Sequence, residues 1–259
     1  MPSAVEARGV GMVFGQGAES IEALKNINLT LSAGDFASLI GPSGCGKSTL
    51  LRLIGDLATP SVGELAINGK TPEQARLDRD YGMVFQSATL LDWRTVEKNV
   101  ELPLEIMGFD SAARAAKAQE MLSLVQLEQF ADHYPWQLSG GMQQRVAIAR
   151  ALAFNPSLLL MDEPFGALDE MTRELMQQEV LRIWEETETT VIFVTHSIPE
   201  AVFLSTRVLV MSPRPGSISD EISIDLATKR DEDTREATRY FQLITEVREA
   251  LRRGERGDG

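Results

Sequence analysis

One glycine-rich segment constrains the fold of this 259-residue chain more than any other feature. It follows a short apolar run, Phe36 to Ile40, and precedes residues with the apolar spacing of a helix, Leu50 to Ile54. A strand, a glycine-rich turn and a helix in that order bring backbone N–H groups to a helix start, where the helix dipole favours anions. The segment reads Gly41-Pro42-Ser43-Gly44-Cys45-Gly46-Lys47-Ser48-Thr49. This pattern predicts a phosphate-binding loop.

Two side chains of the loop have the chemistry that a nucleotide requires. Lys47 can place a positive charge on the β- and γ-phosphates, and the Ser48 hydroxyl can bind Mg²⁺. A plain glycine turn is the alternative, but a chance match to the whole pattern is on the order of one per cent at average Gly usage. Cys45 occupies a variable position, and alkylation is expected there if solvent reaches it. The sequence therefore favours nucleotide binding.

Apolar runs elsewhere indicate the architecture around this loop. Runs rich in Val, Ile, Leu and Phe occupy 36–41, 81–86, 157–162, 190–195 and 207–212. Because they are continuous, they predict strands buried on both faces of a largely parallel sheet covered by helices. Val5 to Phe14 and Asn26 to Leu31 instead alternate apolar and polar residues, which is typical of an antiparallel, half-exposed sheet. The predicted fold class is α/β.

Two stretches carry helical spacing outside this pattern. Ser111 to Val125 lies in a region without strand-like runs and predicts a small inserted helical lobe. Thr234 to Arg253 predicts a C-terminal helix, with fraying expected over 254–259. The apolar stripes are Ala113, Ala116, Met121, Leu122 and Val125 in the first and Ala237, Phe241, Ile244, Val247 and Leu251 in the second.

A pair of acids follows the apolar run Leu158 to Met161. The carboxyl end of a buried strand faces the ligand crevice of an open α/β sheet. Asp162 suits a Mg²⁺ shell, and Glu163 suits the polarising of a water for attack on a γ-phosphate. The two acids could instead cap the next helix. The phosphate loop in the same chain favours catalysis.

A second candidate anion site lies at Leu138 to Arg145, ahead of another apolar helix. Ser139 can cap that helix, and Gly140 and Gly141 permit close approach of the backbone to an anion. From the residues alone, an ordinary Ser-Gly-Gly turn into a helix is the likelier interpretation.

Together the phosphate loop, the signature Leu138 to Arg145 and Asp162-Glu163 resemble the motifs of the ATP-binding cassette (ABC) family in the same order. The resemblance covers roughly residues 5 to 215. It implies a P-loop NTPase core with an antiparallel β subdomain and an inserted helical subdomain, all within one ATPase domain, 1–259. The implied boundaries are 1–86 and 155–225 for the core, 87–154 for the helical subdomain, and 226–259 for a C-terminal helix and tail.

The resemblance also implies roles for residues that spacing alone does not assign. Phe14 would stack on adenine, Gln86 would sense Mg²⁺ and link to the helical lobe, Asp169 would lie in a loop at a dimer interface, and His196 would contact the γ-phosphate. Phe14 could instead be core, and Gln86 could bond a loop backbone. ATP and Mg²⁺ are the implied cofactors. The implied catalytic residues are Glu163, His196, Lys47 and Gln86; the metal-binding ones are Ser48, Gln86 and Asp162; the nucleotide-binding ones are Phe14, Gly41 to Thr49, Ser139, Gly140, Gly141 and Asp169.

Two phosphate-binding helix starts with one set of carboxylates are explained if the second serves a neighbour's nucleotide, which predicts a homodimer around two ATP. Residues 85–93, 195–201 and 211–216 look most like importers of the nitrate, sulfonate and taurine subgroup, whose relatives include pyrimidine and vitamin-precursor importers. That implies separate transmembrane permease subunits and a periplasmic or lipid-anchored solute-binding protein. A groove near Trp93 would receive a permease helix, although Trp93 could instead be core.

Composition limits the other function classes. A net charge of −13 argues against nucleic acid as a partner. The longest aliphatic runs fall far short of the ~20 residues of a membrane span, and Met1 to Phe14 has no signal-like pattern. With one Cys, these features favour a reducing, cytoplasmic setting, and the resemblance to importer subunits implies the cytoplasmic face of the membrane. A non-transport ABC ATPase would need a long heptad insert or tandem cassettes, and a GTPase would need Asn-Lys-x-Asp; neither pattern occurs.

Overall fold

The computed structural model describes residues 3–15, 17–227 and 229–256. The strands are β1 (Ser3–Phe14), β2 (Ile21–Ser32), β3 (Phe36–Ile40), β4 (Val62–Ile67), β5 (Tyr81–Phe85), β6 (Leu158–Asp162), β7 (Thr190–Val194), β8 (Arg207–Met211) and β9 (Ile218–Ser223). The helices are α1 (Lys47–Ile54), α2 (Pro72–Leu77), α3 (Val96–Ile106), α4 (Ser111–Leu124), α5 (Gly140–Leu152), α6 (Glu170–Thr187), α7 (Ile198–Leu204), α8 (Glu232–Glu236) and α9 (Thr238–Arg256).

The main sheet has the strand order β5-β6-β7-β3-β8-β9. Its first five strands run parallel, as their continuous apolar runs predict, and β3 and β7 are buried along their whole length. β9 pairs antiparallel with β8 at the edge. β9 was not predicted because its residues, Ile218 to Ser223, are half polar and mostly solvent-accessible, as suits an edge strand. The α/β fold class is confirmed.

A smaller antiparallel sheet has the order β2-β1-β4. Val5 pairs with Leu31 of β2 on one side and with Ile67 of β4 on the other. The alternating segments therefore form the expected antiparallel pair. β4 escaped prediction because its first three residues, from Val62, are exposed and include a glycine.

Helices α3, α4 and α5 lie between β5 and β6 in the chain and pack against one another. The predicted apolar stripe of α4 is partly wrong, because Ala113 and Ala116 are exposed. The face that passes through Ala118 and Leu122 continues through Arg114 instead. The Arg114 guanidinium reaches the buried Glu101 carboxylate, with Nε 3.5 Å from Oε2.

The C-terminal segment also differs from the prediction. The helix is interrupted at Ala237, whose extended backbone separates α8 from α9. This break changes the buried face, so that Tyr240 is buried and Phe241 is 56% exposed. Fraying from Gly254 is wrong as far as the helix is described: Gly254 is buried and α9 continues to Arg256, while 257–259 lie outside the described residues. Within the described ranges, none of the helices has the length and apolarity of a membrane span.

Candidate functional site

The phosphate loop joins the carboxyl end of β3 to the first residue of α1, Lys47. Gly46 has φ 107° and forms the N-cap of α1. A Cβ at this position would lie 2.5 Å from Leu24 Cδ2 and in a backbone region that side chains rarely adopt. Both the backbone conformation and the packing against Leu24 therefore require glycine at position 46. Its lack of a side chain also leaves the backbone N–H groups at the helix start accessible.

Lys47 is buried in the loop that it follows. Its Nζ donates to the carbonyl of Gly41 at 2.8 Å and to that of Pro42 at 3.1 Å. A third contact, to Cys45 Sγ at 3.8 Å, is long, and because sulfur is a weak acceptor this is the donor of the ammonium group that an anion can recruit. The loop thus holds a buried positive charge without a carboxylate partner among the described ion pairs.

Cys45 differs from its expected placement. Its side chain is 1% exposed and packs in the hydrophobic cluster beneath the small sheet, with Leu24 and Leu50. The Cys45 N–H donates to the Pro42 carbonyl at 3.3 Å. The thiol therefore packs into the core beneath the loop, with Sγ 3.8 Å from Lys47 Nζ, because the tight turn at Gly44 and Gly46 directs the residue between them inward.

Ser48 and Asp162 meet across the carboxyl edge of the main sheet. The Ser48 hydroxyl donates to Asp162 Oδ1 at 2.9 Å. Hydroxyl and carboxylate oxygens are the hard ligands that Mg²⁺ prefers, and the ion commonly takes only a few protein ligands beside phosphates and waters. These two residues therefore fit Mg²⁺. Among the described residues, no cluster of three or more His, Cys, Asp or Glu side chains forms a self-sufficient metal site.

Glu163 follows β6 in a left-handed conformation, with φ 50°. Its N–H donates to the Val194 carbonyl at 3.0 Å, which fixes the backbone against the end of β7. Its Oε1 lies 2.5 Å from His196 Nε2. A non-glycine residue in this conformation costs free energy and persists where its surroundings enforce it, often at functional sites.

A cavity of about 450 Å³ brings seven of the fourteen predicted nucleotide-binding residues together with two of the predicted catalytic residues. Its lining includes Phe14, Ser43, Gly44, Gly46, Lys47, Ser48, Thr49, Glu163 and His196. Phe14 is 44% exposed, so the core interpretation of Phe14 is wrong. Arg214 also lines the cavity and was missed by the sequence analysis. The available signal was a basic residue just after β8, because parallel strands end at the same edge of a sheet.

A neighbouring cavity of about 350 Å³ shares Glu163 and His196 with the first and adds Gln86. Gln86 follows β5 and is exposed. A Cβ on Gly166 would lie 2.9 Å from Gln86 Nε2, so the glycine allows this amide to approach the loop after β6.

The signature segment has the predicted capped helix start. Ser139 caps α5 by accepting from the Met142 N–H at 3.3 Å. Gly141 is buried, and a Cβ there would lie 2.7 Å from Thr172 Cγ2. None of the described residues lining the two cavities belongs to the signature. The signature of a chain therefore does not line the cavity at that chain's own phosphate loop.

Asp169 lies beside the signature, as the N-cap of α6. Its carboxylate accepts from the Thr172 hydroxyl at 2.7 Å and from the Thr172 N–H at 3.0 Å. These bonds hold the pKa of the Asp169 carboxyl below its usual value. Because Thr172 also borders Gly141, Asp169 lies next to the signature.

The sequence model of the ABC transporter family matches residues 24–166. Among curated relatives, an uncharacterized ABC transporter ATP-binding protein of Methanocaldococcus jannaschii is 48% identical over 91% of this chain and 87% of its own. A taurine import ATP-binding protein of Pelagibacter ubique is 44% identical over 90% and 88%. A nitrate import ATP-binding protein of a Synechocystis strain is 43% identical over 96% and 95%.

A solved structure of an ATP-binding cassette has a similar fold. A dimeric ATP-binding cassette, described as a post-hydrolysis state bound to ADP and Pi, is 41% identical, covers 86% of this chain and 100% of its own, and has a TM-score of 0.74. The chain belongs to the ABC transporter family.

The burial of Cys45 predicts slow alkylation of the folded protein. A maleimide should label this thiol at least about a hundredfold more slowly in buffer than in guanidinium, because labelling requires local opening of a packed core. MgATP binds the closed loop and should slow this already slow labelling further, by up to a factor of one plus the ratio of the ATP concentration to its Kd. Cys45→Ser, which removes the only thiol, is the blank. Rapid native labelling that MgATP suppresses would place the thiol on the phosphate side of the loop.

Proposed function

We propose that this chain is the ATP-binding and ATP-hydrolysing subunit of an importer. One observation carries the proposal: Lys47, Ser48 and Glu163 line a single cavity at the carboxyl edge of the parallel sheet. The loop would bind phosphates through its N–H groups and the Lys47 ammonium. Phe14, at the rim, would stack on the adenine ring.

Hydrolysis would follow from the geometry around Glu163. The Glu163 carboxylate would take a proton from a water whose oxygen bonds to the γ-phosphorus, while the bond from that phosphorus to the bridging oxygen breaks and leaves ADP and phosphate. His196, 2.5 Å from Glu163 Oε1, would fix the direction of that carboxylate and face the γ-phosphate. When bound by Ser48, Asp162 and Gln86, Mg²⁺ would supply charge neutralisation to the phosphates.

The separation of the signature from the phosphate loop supports a dimer with shared sites. Ser139, Gly140 and Gly141 would bind the nucleotide held by a second copy, with Asp169 beside them at the interface. In a two-fold pair, each chain then completes the other's site. ATP closes this pair and hydrolysis reopens it, which is the motion that an importer needs.

The partners of this dimer follow from the relatives. Transport by nitrate, taurine and sulfonate importers suggests a solute of that type, with pyrimidine and vitamin-precursor importers as the alternative. The chain would act at the cytoplasmic face of the membrane, on separate permease subunits. A solute-binding protein would deliver the solute to these permease subunits. Trp93 supports a docking role, because its side chain is 74% exposed and therefore is not core.

Glu163→Gln tests the catalytic assignment. The amide keeps the shape of the side chain but is a poor base, so hydrolysis should fall by roughly two to four powers of ten. ATP should still bind and hold a dimer visible by size-exclusion chromatography. Glu249→Gln, on the exposed face of α9, should hydrolyse ATP normally and show no trapped dimer. Hydrolysis at the wild-type rate by Glu163→Gln would exclude this residue as the base.

Trp93→Ala tests the docking surface. Because the ring is exposed, its removal should leave the melting temperature and ATP affinity of the isolated chain nearly unchanged, yet the complex with the permease should no longer co-purify. Phe241→Ala removes an exposed aromatic ring from α9 and should leave assembly intact. Unchanged assembly and transport in Trp93→Ala would remove Trp93 from the interface.

A further inference from the structure

Glu200 holds both chain neighbours of His196: its buried carboxylate bonds to Thr195 and its backbone N–H bonds to Ser197. The Ser197 N–H donates to Thr195 Oγ1 at 3.0 Å, so the backbone turns tightly around His196. The Thr195 hydroxyl in turn donates to Glu200 Oε2. The Glu200 N–H donates to Ser197 Oγ at 3.4 Å. The backbone that carries His196 is therefore fixed from both sides by the first turn of α7.

The second oxygen of Glu200 continues the chain of bonds away from the site. Oε1 accepts from Gln177 Nε2, in α6, at 3.1 Å. Gln177 Oε1 then accepts from Arg235 Nη2, in α8, at 2.6 Å. Glu200 is 6% exposed, and this burial raises the pKa of its carboxyl. A continuous series of bonds therefore links the turn at His196 to the C-terminal segment, 226–256.

The orientation of the Gln177 amide is fixed at both of its ends, by Arg235 and by Glu200. A guanidinium only donates, so it requires the carbonyl oxygen of Gln177 on its side. That orientation leaves the Gln177 amide nitrogen to donate to Glu200, which as a carboxylate only accepts. If Arg235 were absent, the Gln177 carbonyl oxygen would lose its donor, and the amide that donates to Glu200 would be held at one end only.

The same C-terminal segment also contacts the rest of α7. The Arg235 guanidinium carbon lies 3.6 Å from the centroid of the Phe203 ring. Arg230 Nη1 donates to the Phe203 carbonyl at 2.6 Å, at the end of the helix. The Tyr240 hydroxyl donates to the Pro199 carbonyl at 3.0 Å, at its start. Both ends of α7 are thus bound by residues that follow the core of the fold.

We propose that Glu200 and Gln177 are positioning residues for His196, and that the C-terminal segment sets the rate of hydrolysis through Arg235. The His196 side chain is 44% exposed, so packing constrains the ring weakly and its position depends on the contact with Glu163 and on the backbone beneath it. Glu200 also lines the cavity that contains Glu163 and His196, which places the series directly behind the reacting groups. This inference rests on the proposed ATP hydrolysis.

Steady-state kinetics of Arg235→Ala give the first test. The kcat for ATP should fall about 3- to 10-fold, as is typical of coupling through a network, while KM for ATP and the affinity for ADP stay within twofold. Arg235→Lys retains a donor for the Gln177 carbonyl and should recover most of kcat. Arg239→Ala, an exposed neighbour paired with Asp225, is the matched control and should leave kcat unchanged.

A double variant with His196→Ala distinguishes the positioning of His196 from a general loss of structure. In His196→Ala, which lacks the ring to be positioned, adding Arg235→Ala should lower kcat no further. A full additional loss in that background, or an unchanged kcat for Arg235→Ala alone, would overturn the proposal.

Imidazole NMR signals provide a readout that does not depend on hydrolysis. The chain has 2 His, so two ring signals are expected from selectively labelled protein, and His196→Ala assigns them. Arg235→Ala should shift the His196 signal and leave that of His133 in place, whereas Arg239→Ala should move neither. A stationary His196 signal in Arg235→Ala would refute the positioning role even if kcat fell. A shifted signal in a chain that does not hydrolyse ATP would instead count against the proposed function alone.

Discussion

The parallel pairing of β3, β6 and β7 is the constraint on which the rest of the structure depends. Leu39 pairs with Val194, and Val194 pairs with Asp162, so the three strands end at one level. The residues that follow them necessarily share an edge: the phosphate loop, Glu163, and His196. The hydrogen bonds from Glu163 N–H to the Val194 carbonyl and from Thr195 N–H to the Leu39 carbonyl tie these ends together. A shift of register would separate the base from the phosphate loop.

This edge also concentrates local strain and buried polarity. Glu163 has a positive φ, Gly46 takes a conformation restricted to glycine, and Lys47 carries a buried charge. The Glu163 conformation and the buried Lys47 charge are unfavourable alone and are supported by the packed strands behind them, whereas glycine at position 46 avoids the strain that a side chain would cause. The layers of the fold can therefore be understood as a rigid base for a few residues that would not otherwise hold these positions.

The parts that could be predicted from the sequence are those set by local pattern. Continuous apolar runs give the parallel strands, and the glycine spacing gives the loop, because both depend on neighbouring residues only. The orientation of the Cys45 side chain and the interruption at Ala237 depend on tertiary packing, so they were missed. The link from Glu200 to Arg235 joins distant segments through side-chain bonds, and no sequence period reports such a contact.

The separation of the signature from the phosphate loop has a direct test in mixed dimers. Lys47→Ala and Ser139→Arg should each abolish hydrolysis when purified alone, since every site in either homodimer is damaged. If the signature of one chain serves the nucleotide of the other, a mixed dimer keeps one site with both elements intact. Mixing the two inactive variants should then restore measurable hydrolysis. No recovery on mixing, with mixed dimers demonstrated by differential tags, would mean that the loop and the signature act within the same chain.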